Sequence, residues 1–392
     1  MLSAAARTAL ISPFYVMEIV KAAAQPRADG LPVIHMSIGE PDFTAPPPVQ
    51  RAAQLAISSG HTAYTPALGL DSLRERIAAH YASHYGCAVA AERIVITAGA
   101  SAALLLAMAA LVNDGDEVLM PDPSYPCNRH FVTAFGGRAV LVPSGPSERF
   151  QLSSATVAAA WGARTRGVML ASPSNPTGTS ILPADLAAVL AEVRRRGGFS
   201  VVDEIYQGLS YDQPPQSALA LADDVVVINS FSKYFNMTGW RLGWLVVPPP
   251  LVPVVEKLAQ NLFICASSIA QHAALACFDG EAMAIYEERR REFQRRRDYL
   301  VPALQRLGFD IPVVPDGAFY IYADVSRFSD DSWHFAFELL RETAVCVVPG
   351  RDFGLHAPQR YLRVSYATSL DRLEAAVERI AAFLARRARA AA

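Results

Sequence analysis

The chain has 392 residues, a formal net charge of -2, 52% hydrophobic residues and 18% charged residues. This composition excludes an intrinsically disordered chain, because disordered chains combine low hydrophobicity with high net charge. The near-neutral charge lacks the basic excess typical of nucleic-acid binding, so we expect no nucleic-acid partner, and the length predicts two or three domains.

The cysteines and the apolar segments indicate where the protein works. Five cysteines are scattered along the chain without a CxxC pair, which disfavours both a disulfide framework and a metal site. No cationic leader with an apolar core opens the sequence, and the longest apolar run, residues 102–112, is too short to span a bilayer. We therefore predict a cytoplasmic protein that binds neither metal nor membrane.

Short apolar segments rich in β-branched residues alternate with helical patterns in the first two thirds of the chain. Segments that are apolar on both faces are typical of strands in a mostly parallel sheet covered by helices. Seven such segments follow one another, at 94–97, 117–120, 139–142, 167–171, 199–202, 225–229 and 243–247. They predict an α/β fold with a mostly parallel seven-stranded sheet, which binds ligands at the carboxyl ends of its strands.

The chain changes character from about residue 285. An Arg/Glu-rich helical stretch, residues 287–308, precedes short strand patterns near 317–324, 344–350 and 361–367, and a final helix follows from about 370. This order predicts a smaller α+β domain. The charged residues at 287–297 are of both signs, so we expect them to form a solvated helix face.

Only three lysines occur in the sequence. Lys21 and Lys257 lie in amphipathic helical patterns, which predicts that both face solvent. Lys233 instead follows a buried strand and lies between aromatic neighbours. Because desolvation lowers the pKa of an amine, Lys233 is the lysine suited to act as a nucleophile or base at neutral pH.

A carboxylate and a hydroxyl-rich turn accompany this lysine at the predicted strand ends. Asp203 directly follows the apolar strand 199–202, where a charge is costly unless a cation or a strong donor meets it, and Tyr206 follows on the same edge. An anion cradle is predicted where a strand turns into a helix. Its residues are Gly99, Ala100 and Ser101, together with Ser230, Ser232 and Arg241. An amine, a carboxylate and a phosphate cradle are together what pyridoxal phosphate requires.

The sequence resembles the class I aminotransferases of the fold type I pyridoxal-phosphate enzymes. Nine segments carry the resemblance in order along the whole chain: SIGEPDF (37–43), AYTPALGLDSLR (63–74), TAGASAAL (97–104), DPSYP (122–126), SPSNPTG (172–178), VVDEIY (201–206), SFSKYFNMTGWRLGW (230–244), GAFY (317–320) and LRVSYA (362–367). The resemblance implies a large cofactor domain over residues 41–285. Residues 1–40 and 286–392 would form a small domain with an N-terminal arm.

The resemblance also implies a role for each residue around the cofactor. Lys233 would bind it covalently and then move the proton, and Asp203 would pair with its pyridinium nitrogen. Tyr206 and Asn175 would bond its phenolic oxygen, and Tyr125 would stack on its ring. Its phosphate would lie among the cradle residues and Tyr64 of a second subunit, so the resemblance implies a homodimer with a shared active site.

Substrate binding is implied by three further positions. Arg363 would bind the α-carboxylate with help from Asn175 and the backbone of Gly39, because the planar guanidinium suits bidentate contact. Some aspartate-using members carry a lysine where this chain has Ser101, so we expect a neutral or aromatic amino acid and a 2-oxo acid as substrates, exchanged by a ping-pong mechanism. Glutamate stays open as a donor if another arginine reaches the pocket. For Tyr15 we favour packing over a role in the pocket wall.

Two alternatives remain open at this point. One is a different reaction on the same scaffold, carbon–sulfur β-elimination or aminocyclopropane-carboxylate formation, because the pocket selects the bond that breaks. The other is a non-catalytic regulator that senses the cofactor. We consider the regulator less favoured, since the 36 residues before SIGEPDF are too short and too weakly basic for a DNA-binding module.

Overall fold

A seven-stranded sheet organises the larger part of the protein. In the computed structural model, which describes residues 2–25 and 30–391, its strands are β2 (Ile94–Thr97), β3 (Glu117–Asp122), β4 (Arg138–Pro143), β5 (Thr165–Ala171), β6 (Phe199–Asp203), β7 (Val226–Ser230) and β8 (Gly243–Val246). Their spatial order is β2-β8-β7-β6-β5-β3-β4. Only β8 runs antiparallel to both of its neighbours, so the predicted mostly parallel α/β fold is confirmed.

Helices cover both faces of this sheet. Val201 packs in one hydrophobic cluster with residues of α4 and α8, and the next residue, Val202, packs in another with residues of α3 and α7. The helices of the chain are α1 (Val16–Ala23), α2 (Pro47–Ser58), α3 (Asp71–Tyr85), α4 (Gly99–Leu111), α5 (Pro126–Ala134), α6 (Ser154–Ala160), α7 (Pro183–Arg195), α8 (Val252–Leu262), α9 (Ser268–Leu275), α10 (Gly280–Leu307), α11 (Ser332–Thr343) and α12 (Leu370–Ala391). Within the described residues, no helix is long and apolar enough to cross a membrane.

Two small sheets form around the C-terminal part of the chain. One has the order β11-β12-β9 and is antiparallel, and the other pairs β1 with β10 in parallel. Their strands are β1 (Ile34–His35), β9 (Tyr320–Asp324), β10 (Val345–Cys346), β11 (Val348–Pro349) and β12 (Tyr361–Ser365). The β1–β10 pair joins the two chain segments that the predicted small domain combines.

The predicted domain boundary stays a prediction. Helix α10 runs without interruption through the predicted boundary between residues 285 and 286. Residues 1, 26–29 and 392, which the prediction assigns to the small domain, lie outside the described residues.

The prediction that the charged run at 287–297 forms a solvated face is wrong for its last two residues. Arg296 and Arg297 are only 3% and 5% exposed. Arg296 pairs with Asp42 at 2.8 Å, and its guanidinium lies over the ring of Phe43 at 5.2 Å. Helix α10 therefore has buried as well as solvated charges: Arg296 holds the 37–43 segment, and Arg297 pairs with Asp212.

We expect Arg296→Ala to destabilise the protein by about 2–3 kcal/mol, because it leaves a partly buried carboxylate of Asp42 without its cation and removes the contact with Phe43. The side chain of its neighbour Arg295 is 61% exposed and pairs with Glu292 of the same helix. Arg295→Ala is thus the matched control, with a cost of about 0.5 kcal/mol or less. Urea unfolding measures both, and equal losses would contradict the structural role of Arg296.

Candidate active site

The predicted site residues meet around one cavity of about 410 Å³ at the carboxyl edge of the large sheet. It lies beyond the ends of β5, β6 and β7 and beside the N-terminus of α4. The predicted residues that line it are Gly39, Ala100, Ser101, Tyr125, Asn175, Asp203, Tyr206, Ser232, Lys233, Arg241 and Arg363. Gly99 and Ser230 lie just behind this lining, whereas Tyr64 is 80% exposed elsewhere on the surface.

Lys233 follows β7 and extends into the cavity. Its Nζ donates a hydrogen bond to the Gly39 carbonyl oxygen at 2.6 Å. Burial, against the opposing charge of Glu40 and with a smaller contribution from the positive charges of Arg241 and Arg363, lowers the pKa of Lys233 to about 8. More of this amine is therefore unprotonated near neutral pH than in an ordinary lysine, and the unprotonated form is the one that a nucleophile requires. Lys21 and Lys257 are exposed on their helices, as predicted.

Asp203 is the last residue of β6 and is 6% exposed. One of its oxygens accepts the Ile205 backbone N–H at 3.0 Å. Burial raises the pKa of Asp203 to about 6, although that hydrogen bond and the charge of Lys233 both lower it. Burial therefore destabilises the charged form of Asp203, and a cationic group of a ligand beside the carboxylate would stabilise that form.

The N-terminus of α4 forms one end of the cavity. Its N-cap residue, Ala98, offers no side chain to the free backbone N–H groups, so these remain available to an anion. Gly99 has φ +79°, and a Cβ built on it would lie 2.6 Å from Nη2 of Arg241. The close approach of Arg241 thus depends on the missing side chain of Gly99.

A pair of hydroxyl groups completes this end. The Ser230 hydroxyl, at the end of β7, donates to the Ser232 hydroxyl at 2.9 Å and accepts the Ser232 backbone N–H at 3.0 Å. The Ser232 side chain lines the cavity, while Ser230 is 1% exposed and supports it from behind. Backbone N–H groups, hydroxyls and a guanidinium together suit a phosphate.

Arg363 lies on β12 at the opposite side of the cavity and is 4% exposed. Its Nη1 donates to Asn175 Oδ1 at 3.0 Å and its Nη2 to the Ser37 carbonyl oxygen at 2.7 Å. Its Nε is buried without a hydrogen-bond partner among the described residues. A buried guanidinium with neutral partners and a free donor is a site for a carboxylate from outside the chain.

Aromatic residues surround the lysine. The hydroxyl groups of Tyr206 and Tyr320 are 2.9 Å apart, and burial raises the pKa of both phenols. Tyr125 is partly buried and lines the cavity beside them. Tyr320 was not singled out by sequence reasoning, although its motif, GAFY, was recognised and could have pointed to it.

The remaining wall was also missed from the sequence. It consists of apolar side chains from separate segments, namely Phe14, Val16, Met17, Val20, Ile38, Leu104 and Phe131. The preference for packing at Tyr15 agrees with the structure, where its ring lies edge-on to Trp333 at 6.1 Å and outside the cavity lining. Single apolar residues carry no sequence signal that separates a pocket wall from an ordinary core.

Comparison with known proteins shows the family to which the chain belongs. Residues 32–380 match the family model described as aminotransferase class I and II. The valine–pyruvate aminotransferase of Mycobacterium tuberculosis is 40% identical over 95% of this chain and 97% of its own length. The aspartate aminotransferase of Geobacillus stearothermophilus is 34% identical over 98% of this chain and 99% of its own length. A crystal structure of an aminotransferase from Mycobacterium tuberculosis superimposes with a TM-score of 0.94, at 40% identity and over 98% of this chain and 100% of that one.

The protein belongs to the class I and II aminotransferases. Its fold, its cavity and its relatives define a pyridoxal-phosphate-dependent enzyme that transfers an amino group between an amino acid and a 2-oxo acid. The residues present fit this cofactor: the phosphate cradle at α4, the carboxylate of Asp203 and the amine of Lys233 supply what its three polar parts require.

We expect Gly99→Ala to weaken binding of pyridoxal phosphate by at least about tenfold, because the new methyl group displaces Arg241 and so removes the charge-assisted hydrogen bond that this guanidinium would donate to the phosphate. Gly115→Ala is a matched control. Gly115 has φ +80° and no atom within 4 Å of a built Cβ, so it carries the same backbone strain without a clash. Equilibrium dialysis with the cofactor measures both affinities, and equal affinities would refute the cradle.

Proposed function

We propose that this aminotransferase acts on L-amino acids with apolar or aromatic side chains and on the matching 2-oxo acids. The observation that carries the proposal is the composition of the cavity wall. Its cations among the described residues are Lys233, Arg241 and Arg363, and each has a function in holding the cofactor or the α-carboxylate. No further cation lines the described part of the cavity, so none is left to bind a carboxylate on the substrate side chain. The negative charge of Glu40, which also lines the cavity, would repel such a carboxylate.

Arg363 is the proposed anchor of the α-carboxylate, with Asn175 and the backbone of Gly39 beside it. Its buried, partnerless Nε and its neutral neighbours support this assignment. The ring of Tyr320 lies 4.5 Å from the guanidinium carbon and limits its movement. Fixing the carboxylate here directs the substrate side chain towards the apolar wall.

The cofactor contacts follow the same reasoning. Asp203 is proposed to pair with the ring nitrogen, Tyr206 and Asn175 to bond the phenolic oxygen, and Tyr125 to stack on the ring. The phosphate is assigned to Gly99, Ala100, Ser101, Ser230, Ser232 and Arg241. When bound, pyridoxal phosphate supplies the carbonyl that takes up the amino group and the ring that withdraws electrons from the substrate Cα.

Lys233 is the proposed acid and base of the reaction. Its lowered pKa allows the amine to accept the proton from the substrate Cα and to return it at a neighbouring carbon. The Gly39 carbonyl, 2.6 Å from Nζ, orients the amine between these positions. The apolar wall excludes water and so strengthens the attraction between the substrate carboxylate and Arg363.

The test is a half-reaction screen with the purified holoenzyme. We expect valine, leucine and phenylalanine to convert the cofactor to its pyridoxamine form with kcat/KM about 100-fold above that of aspartate, the discrimination expected when a charge enters an apolar wall. Visible absorbance measures the conversion. A preference for aspartate would overturn the substrate proposal. Release of ammonia and pyruvate from cysteine, whose sulfur is a leaving group on Cβ, would identify β-elimination instead.

We also propose a cytoplasmic homodimer with a shared active site. Tyr64 is 80% exposed and does not line the cavity of its own chain, and Leu55, Ile57, Leu262 and Ile264 are further exposed apolar side chains. Such a surface is typical of a subunit interface. The five cysteines are all free, which supports a reducing compartment.

Hybrid dimers test the shared site. Tyr64→Ala and Lys233→Ala should each lose most activity, and a mixed dimer should regain about a quarter to a half of the wild-type rate, since one of its two sites then has both residues intact. Tagged, co-purified heterodimers are assayed against each parent homodimer. Verified heterodimers that stay inactive would argue against a contribution of Tyr64 to the partner's site.

A further inference from the structure

The apolar wall of the cavity includes one face of the N-terminal helix α1. Val16, Met17 and Val20 of this helix line the cavity together with Phe14, which lies just before the N-cap residue Tyr15. Phe14 and Met17 are 38% and 47% exposed, although both are large and apolar. Their exposed surfaces face the space that a substrate side chain would fill.

Helix α1 has no capping side chain of its own. Its N-cap residue, Tyr15, makes no side-chain cap hydrogen bond. The carboxylate of Asp352, more than 300 positions along the chain, accepts both free backbone N–H groups instead: that of Tyr15 on Oδ1 at 2.8 Å and that of Val16 on Oδ2. A negative charge at a helix N-terminus also interacts favourably with the helix dipole.

Asp352 is held firmly where it makes this contact. Its side chain is 1% exposed, and its carbonyl oxygen accepts a hydrogen bond from Arg129 at 2.9 Å. The preceding residue, Arg351, lies over the ring of Tyr15 at 4.6 Å. Two adjacent residues therefore fix the start of α1, one through its carboxylate and one through its guanidinium.

The residue after Asp352 contacts the other end of the site. The ring of Phe353 lies 5.1 Å from the guanidinium carbon of Arg363 and is 1% exposed. Asp352 and Phe353 thus connect the apolar wall to the proposed anchor of the α-carboxylate. The distance between these two parts of the site decides which side-chain length fits.

We propose that Asp352 is a positioning residue that determines the side-chain specificity of this aminotransferase by holding α1 against the cavity. This inference rests on the proposed binding of the α-carboxylate by Arg363. Asp352 contacts neither substrate nor cofactor and acts through Val16 and its neighbours. When its carboxylate is lost, α1 separates from the cavity, and long apolar side chains lose their wall while alanine loses little.

Asp352→Asn tests the proposal, because it keeps the size of the side chain but can accept only through one oxygen. We expect the ratio of kcat/KM for leucine to that for alanine to fall about tenfold, an amount that one or two methylene groups contribute in an apolar pocket. The change should lie in KM for leucine, with the visible absorbance of bound cofactor unchanged. Hydrogen exchange should become faster for the amides of residues 15–20.

Asp122→Asn is the matched control. Asp122 accepts the backbone N–H groups of Leu355 and His356 at 2.9 and 3.1 Å, so it supports the same loop without touching α1. We expect it to leave the leucine-to-alanine ratio unchanged. In a Met17→Ala background, where part of the wall is already missing, Asp352→Asn should lower the ratio by less than in the wild type.

Equal losses for leucine and alanine in Asp352→Asn, or unchanged amide exchange at residues 15–20, would overturn the proposal. The proposed substrate class fails separately, if the wild-type enzyme prefers aspartate over leucine. In that case the ratio of aspartate to alanine tests Asp352 in the same way, because the wall faces whichever side chain the enzyme accepts.

Discussion

The active site depends on charged groups that are buried around one cavity without an oppositely charged partner bonded to them among the described residues. Among the described residues, Lys233 bonds to a carbonyl oxygen, Asp203 to a backbone N–H, and Arg363 to an amide and a carbonyl oxygen. Burying such groups is costly, and the opposite pKa shifts of Lys233 and Asp203 reflect that cost. In the proposed binding mode, cofactor and substrate supply the missing charges, so the same buried charges favour binding and prepare the site for catalysis.

The rest of the fold keeps these groups in place. Parallel strands bring their carboxyl ends to one edge, which is why Asp203 and Lys233, on neighbouring strands β6 and β7, reach the same cavity. The antiparallel strand β8 places Gly243 against the backbone of Gly99 and so supports the phosphate cradle. Across the cavity, the loop at Asp352 and Phe353 links Arg363, the proposed anchor of the α-carboxylate, to the wall formed by α1. In this proposal the large sheet carries the reacting groups, and the surrounding segments select the substrate side chain.

The sequence predicted the parts of the site that are local. Asp203, Lys233 and the Gly99–Ser101 turn each lie within a few residues of the end of an apolar strand, so their position was readable from neighbouring residues. The apolar wall was not predictable in this way, because Val16 and Leu104 look like any core residue until distant segments meet. The prediction that the charged run on α10 is solvated was wrong at Arg296 for a related reason. Arg296 is buried because Asp42 and Phe43, which are distant in sequence, lie against it.

What the sequence determined by itself is the α/β architecture, the order of its strands along the chain and the chemistry at the strand ends, since hydrophobic pattern and residue type are local properties. The tertiary structure decided the spatial order of the strands and the burial of Arg296 and Arg297. It also brought the carboxylate of Asp352 to the start of α1, across more than 300 residues of chain. These features depend on which segments pack together, and packing between distant segments leaves no periodic signal in the sequence.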